Sequence, residues 1–246
     1  MNATIVNPRQ DRGPAAGITP PGYGYLLIGA SIAPPVGPPF VRRHPTRQRV
    51  LDELPARLAE ARGIDAVERA TAYRAVLMPP ARPPSWRPTL EPPRYDVACL
   101  VETTSPNALD SVAAAPAVAA IDDLLRTPAS ATLVMRATCI RALADVDKRP
   151  DGIYLFNFWA AEDARVALEV WDHLAPWFQA RTGLQNSTVL QPTGDDAFAL
   201  VNHARWDRSL VRIAADQFLR PSFYTFVRRN LATNHISVYP TLYRRI

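Results

Sequence analysis

The sequence predicts an α+β protein, and three observations carry that prediction. The order strand, helix, strand, strand, helix, strand is complete by about Lys148 and then begins again. A chain of 246 residues, 48% of them hydrophobic, is long enough to bury one large core or two small ones. An antiparallel sheet covered by helices on one side leaves its other side apolar, so two such sheets in one chain should face each other.

Residues 1–22 are rich in Pro, Gly and polar residues and read as a flexible N-terminal arm, with none of the basic-then-apolar order of a signal peptide. The first half, 23–148, opens with a strand from Tyr23 to Ile32, which the Pro-rich stretch Ala33 to Pro39 ends. Thr46 to Arg62 carries Val50, Leu51, Leu54, Leu58 and Ala61 at helical spacing, with Gly63 as the stop. Strands follow at Ala70 to Leu77 and Tyr95 to Glu102. Between them lies an insert, 79–93, whose seven prolines exclude regular sheet. It suits a lid, a docking segment or a solvated linker. A helix from Asn107 to Leu125, broken at Pro116, and a strand from Ala131 to Leu143 complete the half.

The second half, 149–246, repeats the order. Ile153 to Trp159 is a strand, and Asp163 to Arg181 a helix with Ala167, Trp171, Leu174 and Phe178 on one stripe. Short strands follow at Thr188 to Leu190 and Phe198 to Trp206. Ser209 to Leu231 is helical with an interruption at Pro221, and Ile236 to Tyr243 is the last strand. Each half is a ferredoxin-like unit, and the expected product is a tandem repeat forming an intrachain, barrel-like α+β pseudo-dimer.

The strand Phe198 to Trp206 draws attention because an apolar stretch suddenly carries amide, imidazole, guanidinium and indole groups. Alternation places Phe198, Leu200, Asn202, Ala204 and Trp206 on one face and Ala199, Val201, His203 and Arg205 on the other. Asn202 in mid-strand is costly unless paired, which suits a pocket. His203 has the natural pKa of a general base but points away from Asn202, so it either works inside the barrel or is a satisfied structural histidine. Asn157 and Trp159 repeat the Asn-plus-Trp theme on the first strand of this half, so they are candidate substrate contacts. His173, in the helix that Pro176 should interrupt, and Tyr224 are further ones. The first half offers Leu100 to Thr104 at the equivalent place, without the amide or indole, which puts the working site in the second half.

With Val201-Asn202-His203-Ala204-Arg205-Trp206, Gly183 to Ser187 and Val238 to Tyr243 in view, residues 152–246 resemble the antibiotic biosynthesis monooxygenase family of the dimeric α+β barrel superfamily. That resemblance implies oxidation of an electron-rich aromatic by O₂ without flavin or metal. It gives Asn202 and Trp206 hydrogen bonds to substrate oxygens or a peroxide intermediate; His203, put forward by its own chemistry, is the third catalytic candidate. No single position matches the family's pocket arginine. The superfamily also includes haem-binding and non-catalytic members.

The resulting expectation is a cytoplasmic oxygenase or oxidase of secondary metabolism that takes a small molecule and O₂, with a second copy of the chain as an optional partner. One alternative places haem or a divalent metal at a histidine, with His203, His235 and Asp207 as the metal set. The other is a non-catalytic binding or interaction protein. The four histidines, His44, His173, His203 and His235, form no i, i+4 pair, and the phosphate-loop, dinucleotide and nucleophile-elbow motifs are absent. The net charge of +5 comes from scattered arginines, which predicts no nucleic-acid binding, and no apolar run approaches the about 20 residues of a membrane span. Cys99 and Cys139, both in apolar strands, read as reduced thiols.

Overall fold

The computed structural model describes residues 2–246. In the first half, β1 (Gly24–Ser31), α1 (Pro45–Arg62), β2 (Val67–Leu77), β3 (Val97–Thr103), α2 (Leu109–Ala113), α3 (Pro116–Arg126) and β4 (Ala131–Ala144) follow one another. The second half has β5 (Ile153–Ala160), α4 (Ala164–Thr182), β6 (Asn186–Pro192), β7 (Leu200–Trp206), α5 (Leu210–Phe218), α6 (Arg229–Thr233) and β8 (Ser237–Arg245). A π-helical turn, Phe223–Arg228, runs directly into α6.

The expected pair of facing ferredoxin-like sheets does not form. All eight strands hydrogen-bond into a single closed antiparallel barrel in the order β1-β3-β2-β8-β5-β7-β6-β4. Two separate sheets would leave edges with unpaired N–H and C=O groups, and closure removes those edges. The long strands do the joining. β4 pairs with β1 through Ala131 to Thr138 and with β6 from Ala137 to Ala144. β2 likewise pairs with β3 and then, from Tyr73 to Leu77, with β8.

Closure gives the barrel one interior, and alternation fills it with Tyr25, Tyr73, Tyr154, Phe156, Phe158 and Tyr243. Aromatic rings meet there edge-on, as in the 5.0 Å contact of Tyr73 with Tyr154. The outward faces of the strands pack under the helices in two layers, one around α1 to α3 and one around α4 to α6. Asp163 caps α4 by accepting the Arg165 N–H, and Gly183, at φ 71°, supplies the left-handed turn that ends the helix.

One end of the barrel is covered by the Pro-rich insert, which reaches from the first half onto the second. Leu90 is buried in the interior cluster, Trp86 packs against it, and Trp86 Nε1 donates to the His235 carbonyl at 2.9 Å. At the other end Arg205 donates to the Asp151 carbonyl and pairs with Asp207 at 2.5 Å. Gly152 is required beside it, since at φ 104° a Cβ would lie 2.8 Å from the Arg205 Nε. The N-terminal arm lies along the second half. Asn230 and Asn234 each hold a backbone stretch of it by paired amide bonds, to Val6 and to Thr4. Both cysteines are free, and burial pushes the Cys99 thiol up to about 12 and the Cys139 thiol up to about 11.

Candidate functional site

Between the outward face of the second-half strands and their helices lies an apolar cavity of about 120 Å³. Its floor is Leu155, Asn157 and Trp159 of β5, Val238, Pro240 and Leu242 of β8, and Trp206 of β7. Its roof comes from Leu174 and Phe178 of α4, Ile213, Ala214, Gln217 and Phe218 of α5, and Phe223, Val227 and Leu231 beyond. Leu77 and Pro79 of the first half complete it.

The sequence explains why the helices leave room there. Pro221 cannot continue α5, and the chain resumes as a π-helical turn whose wider spacing holds Phe223, Val227 and Leu231 over the sheet without closing on it. Pro240 stands opposite Asn157, where β8 has passed the end of its pairing with β2, so a residue without an N–H is tolerated in a strand.

Two polar atoms in this apolar lining are shut away from solvent without a hydrogen-bond partner among the described residues: Asn157 Oδ1 and Trp159 Nε1. Each costs about 1–3 kcal/mol of desolvation while it stays unpaired. One is an acceptor and the other a donor, two residues apart on the same face. No Asp, Glu, His, Lys, Arg, Tyr or Cys lines the cavity.

The other predicted residues are distributed differently. Trp206 lines the cavity with its ring, but its Nε1 donates to Thr182 Oγ1 at 3.0 Å, and Thr182 in turn donates to the Phe178 carbonyl. Asn202 is buried beside the cavity without lining it, and its Oδ1 accepts from Ser187 Oγ at 2.5 Å. His203 stands inside the barrel, fully buried and stacked on Phe156 at 4.3 Å. Its Nδ1 donates to the Leu155 carbonyl at 3.0 Å, which leaves Nε2 as the acceptor for Lys148 Nζ at 3.1 Å. Its basic lone pair is therefore already engaged.

Lys148 connects His203 to a buried charge network that sequence reasoning missed. Lys148 Nζ lies 3.5 Å from Glu102 Oε1, Arg69 pairs with Glu102 at 2.9 Å, and Arg69 reaches Asp145 at 2.9 Å. Burial holds the His203 pKa well below its ordinary value, aided by the Lys148 charge. Burial also raises Glu102 and lowers Lys148, while each partner's charge opposes the shift of the other. The signal was present as Glu102 in an apolar strand whose interior-facing alternation could have been followed.

His173 Nδ1 meets Asp11 Oδ2 of the N-terminal arm at 2.8 Å, away from the cavity lining. Tyr224 is exposed and donates to the Phe218 carbonyl at 3.1 Å. His235 sits in a surface groove with Trp86 and Arg228, at φ 53°. The set His203, His235 and Asp207 is not brought together: one is interior, one is in that groove, and Asp207 is exposed and bonded to Arg205 and Arg149. Among the described residues no three His, Cys, Asp or Glu side chains are placed to hold a metal ion. No histidine lines the cavity, so it presents no axial ligand to a haem.

A closed barrel carrying its helices outside defines the α+β-barrel fold class. Solved structures share it along nearly the whole chain. An anthrone oxidase-like protein superposes with a TM-score of 0.64 at 12% identity, covering 92% of each chain. A proposed monooxygenase of Fusobacterium nucleatum subsp. nucleatum gives 0.55 at 6% identity over 91% of each. A haem-binding protein of Thermus thermophilus gives 0.50 at 9% identity over 95% of this chain and 94% of that one. At such identities the likeness is one of fold. No protein-family model matches the sequence, and no curated protein sequence does.

Proposed function

We propose that this chain is an oxidase or oxygenase of secondary metabolism that binds an electron-rich aromatic compound in the second-half cavity and uses O₂. The observation that carries the reading is the unpaired acceptor and donor, Asn157 Oδ1 and Trp159 Nε1, on one face of an otherwise apolar cavity. Such a pair costs stability until something else completes it. A hydroxyaromatic ligand does so: its hydroxyl donates to Asn157, and a second oxygen, or the same one once deprotonated, accepts from Trp159. The fold shared with an anthrone oxidase-like protein supports the same reading.

The chemistry assigned to the protein is small. A dry cavity raises the worth of the Trp159 N–H bond to a developing oxyanion, and the anion then supplies the electron that O₂ requires. Trp206 forms an apolar wall, Asn202 braces β7 against β6 through Ser187, and His203 stiffens the barrel behind them. No titratable group lines the cavity, so the hydroxyl proton passes to solvent water as the ligand enters, before the anion reduces O₂. A cavity of about 120 Å³ holds about one ring, since an engineered cavity of about 150 Å³ accepts benzene. A polycyclic substrate therefore requires α5, with the half-exposed Phe218 at its end, to move outward.

The test is O₂ uptake by the purified full-length chain with a panel of hydroxyaromatics of increasing ring number, alongside a fluorescence titration of its tryptophans. Uptake that disappears in Trp159→Phe supports the proposal. Saturable binding without uptake supports the second reading, a non-catalytic binding protein, which the absence of a titratable lining residue favours. Neither uptake nor binding rejects both.

A further inference from the structure

We propose that the outward face of α5 and the adjoining π-helical turn docks onto an anionic lipid surface at the mouth of the cavity. The sequence predicted no membrane partner because no apolar run is long enough to span a bilayer, and its arginines read as ordinary surface; an interfacial face needs no such run. From Arg208 to Arg229 there are five arginines against one aspartate, within a chain whose net charge is only +5. That aspartate, Asp216, is buried and shared among Arg208 at 2.7 Å, Arg212 at 2.9 Å and Arg220 at 3.7 Å, so the three guanidinium groups are held together with two positive charges in excess. Arg228 and Arg229 are exposed, and Arg228 lies over the Tyr224 ring at 5.9 Å. Asn7 and Gln10 both bond to Thr225 and carry Arg9 to the same border.

Inside this basic frame stands an apolar surface with no protein covering it. Among the described residues eight large hydrophobic side chains are exposed, and four of them, Val211, Phe218, Leu219 and Tyr224, fall within fourteen residues, so the clustering is local. Val211 and Leu219 are 78% and 80% exposed. They stand eight residues apart, Val211 in the first turn of α5 and Leu219 as its C-cap, with Ala215 and Phe218 between, a second apolar stripe beside the one that Ile213 turns to the core. Phe218 belongs to both surfaces, lining the cavity and reaching solvent. An amphipathic helix with arginines flanking exposed aliphatic and aromatic side chains is the pattern of an interfacial helix. A second copy of the chain suits this face poorly, because a two-fold contact would set like charges against each other. The surface stands on these residues alone; only the further step, that it passes a lipophilic ligand to the cavity, rests on the function proposed above.

The test is co-sedimentation of the full chain with vesicles of phosphatidylcholine alone and of equal phosphatidylcholine and phosphatidylglycerol, at low and high salt. The mixed vesicles should bind at least about tenfold more tightly, with the difference shrinking as salt rises. The double variant Val211→Glu/Leu219→Glu, neither residue lining the cavity, should lose about tenfold or more while keeping its circular dichroism and its ligand titration. Val36→Glu, at an exposed position outside this region, should change nothing. Absence of binding by the wild type, or equal losses in the two variants, overturns the proposal. So does equally tight binding to heparin, which assigns the face to a soluble polyanion, or a wild-type dimer in light scattering that the double variant dissolves.

Discussion

Asn157 and Asn202 stand directly opposite each other on β5 and β7, yet replacing each by leucine should move stability in opposite directions. At Asn157 the substitution removes an acceptor that is buried without a partner and adds apolar surface to an apolar cavity. Relieving an unpaired group contributes about 1–3 kcal/mol, so the variant should gain about 1–2 kcal/mol after imperfect packing, or about 3–6 °C in Tm for a chain of this size. At Asn202 the same change deprives the buried Ser187 hydroxyl of the acceptor it bonds and should cost about 1–3 kcal/mol. The gap between the variants is then about 3 kcal/mol, well above the error of a urea titration followed by circular dichroism. Ligand binding should be lost with Asn157→Leu and kept with Asn202→Leu, which is the trade expected when a site holds unpaired groups ready for a ligand. If both variants lose stability equally, Asn157 is satisfied in solution and the cavity is not a prepared site.

Other measurements follow from the same contacts. Ala214→Leu should fill part of the cavity and weaken a bound hydroxyaromatic by at least about tenfold in a fluorescence titration, with Tm unchanged or higher. Lys148→Met should cost about 3–5 kcal/mol by urea denaturation, because it strips Glu102 of a charge partner and His203 Nε2 of its donor inside the barrel. Because the folded-state pKa of His203 is depressed, the unfolded chain takes up a proton that the folded chain refuses. The stability it contributes is complete above about pH 6.5 and falls as pH drops, by up to about 1.4 kcal/mol per unit. The difference in unfolding free energy between wild type and His203→Gln should shrink at that rate below pH 6.5; Glu102, whose pKa burial raises, is common to both chains and cancels.

How much of this was legible in the sequence depended on whether a feature is local. Strand and helix positions were readable because apolar spacing and proline are local signals; α4 differs from its expected span by one residue at each end. Alternation also placed His203 on the face opposite Asn202 and grouped Asn157 with Trp159. Closure of the barrel was not readable in this way, because it depends on which edges meet. The one trace of it was the length of β4, fourteen residues where an ordinary strand is about five or six, long enough to serve two neighbours in turn. The same distinction governs the site. Asn202 and Asn157 are both mid-strand asparagines on the same outward face, and nothing local tells them apart. Ser187, fifteen residues before Asn202, bonds to it and makes it structural. Pro240, opposite Asn157 on β8, has no side-chain group to offer, and the break at Pro221 keeps α5 and the π-helical turn from closing over Asn157. A polar residue in a strand marks a ligand site only where its neighbours across the sheet and above it decline to pair with it. Those neighbours are supplied by the fold, which is why Asn157 and Trp159, rather than the motif strand that drew attention first, hold the atoms left for a ligand to complete.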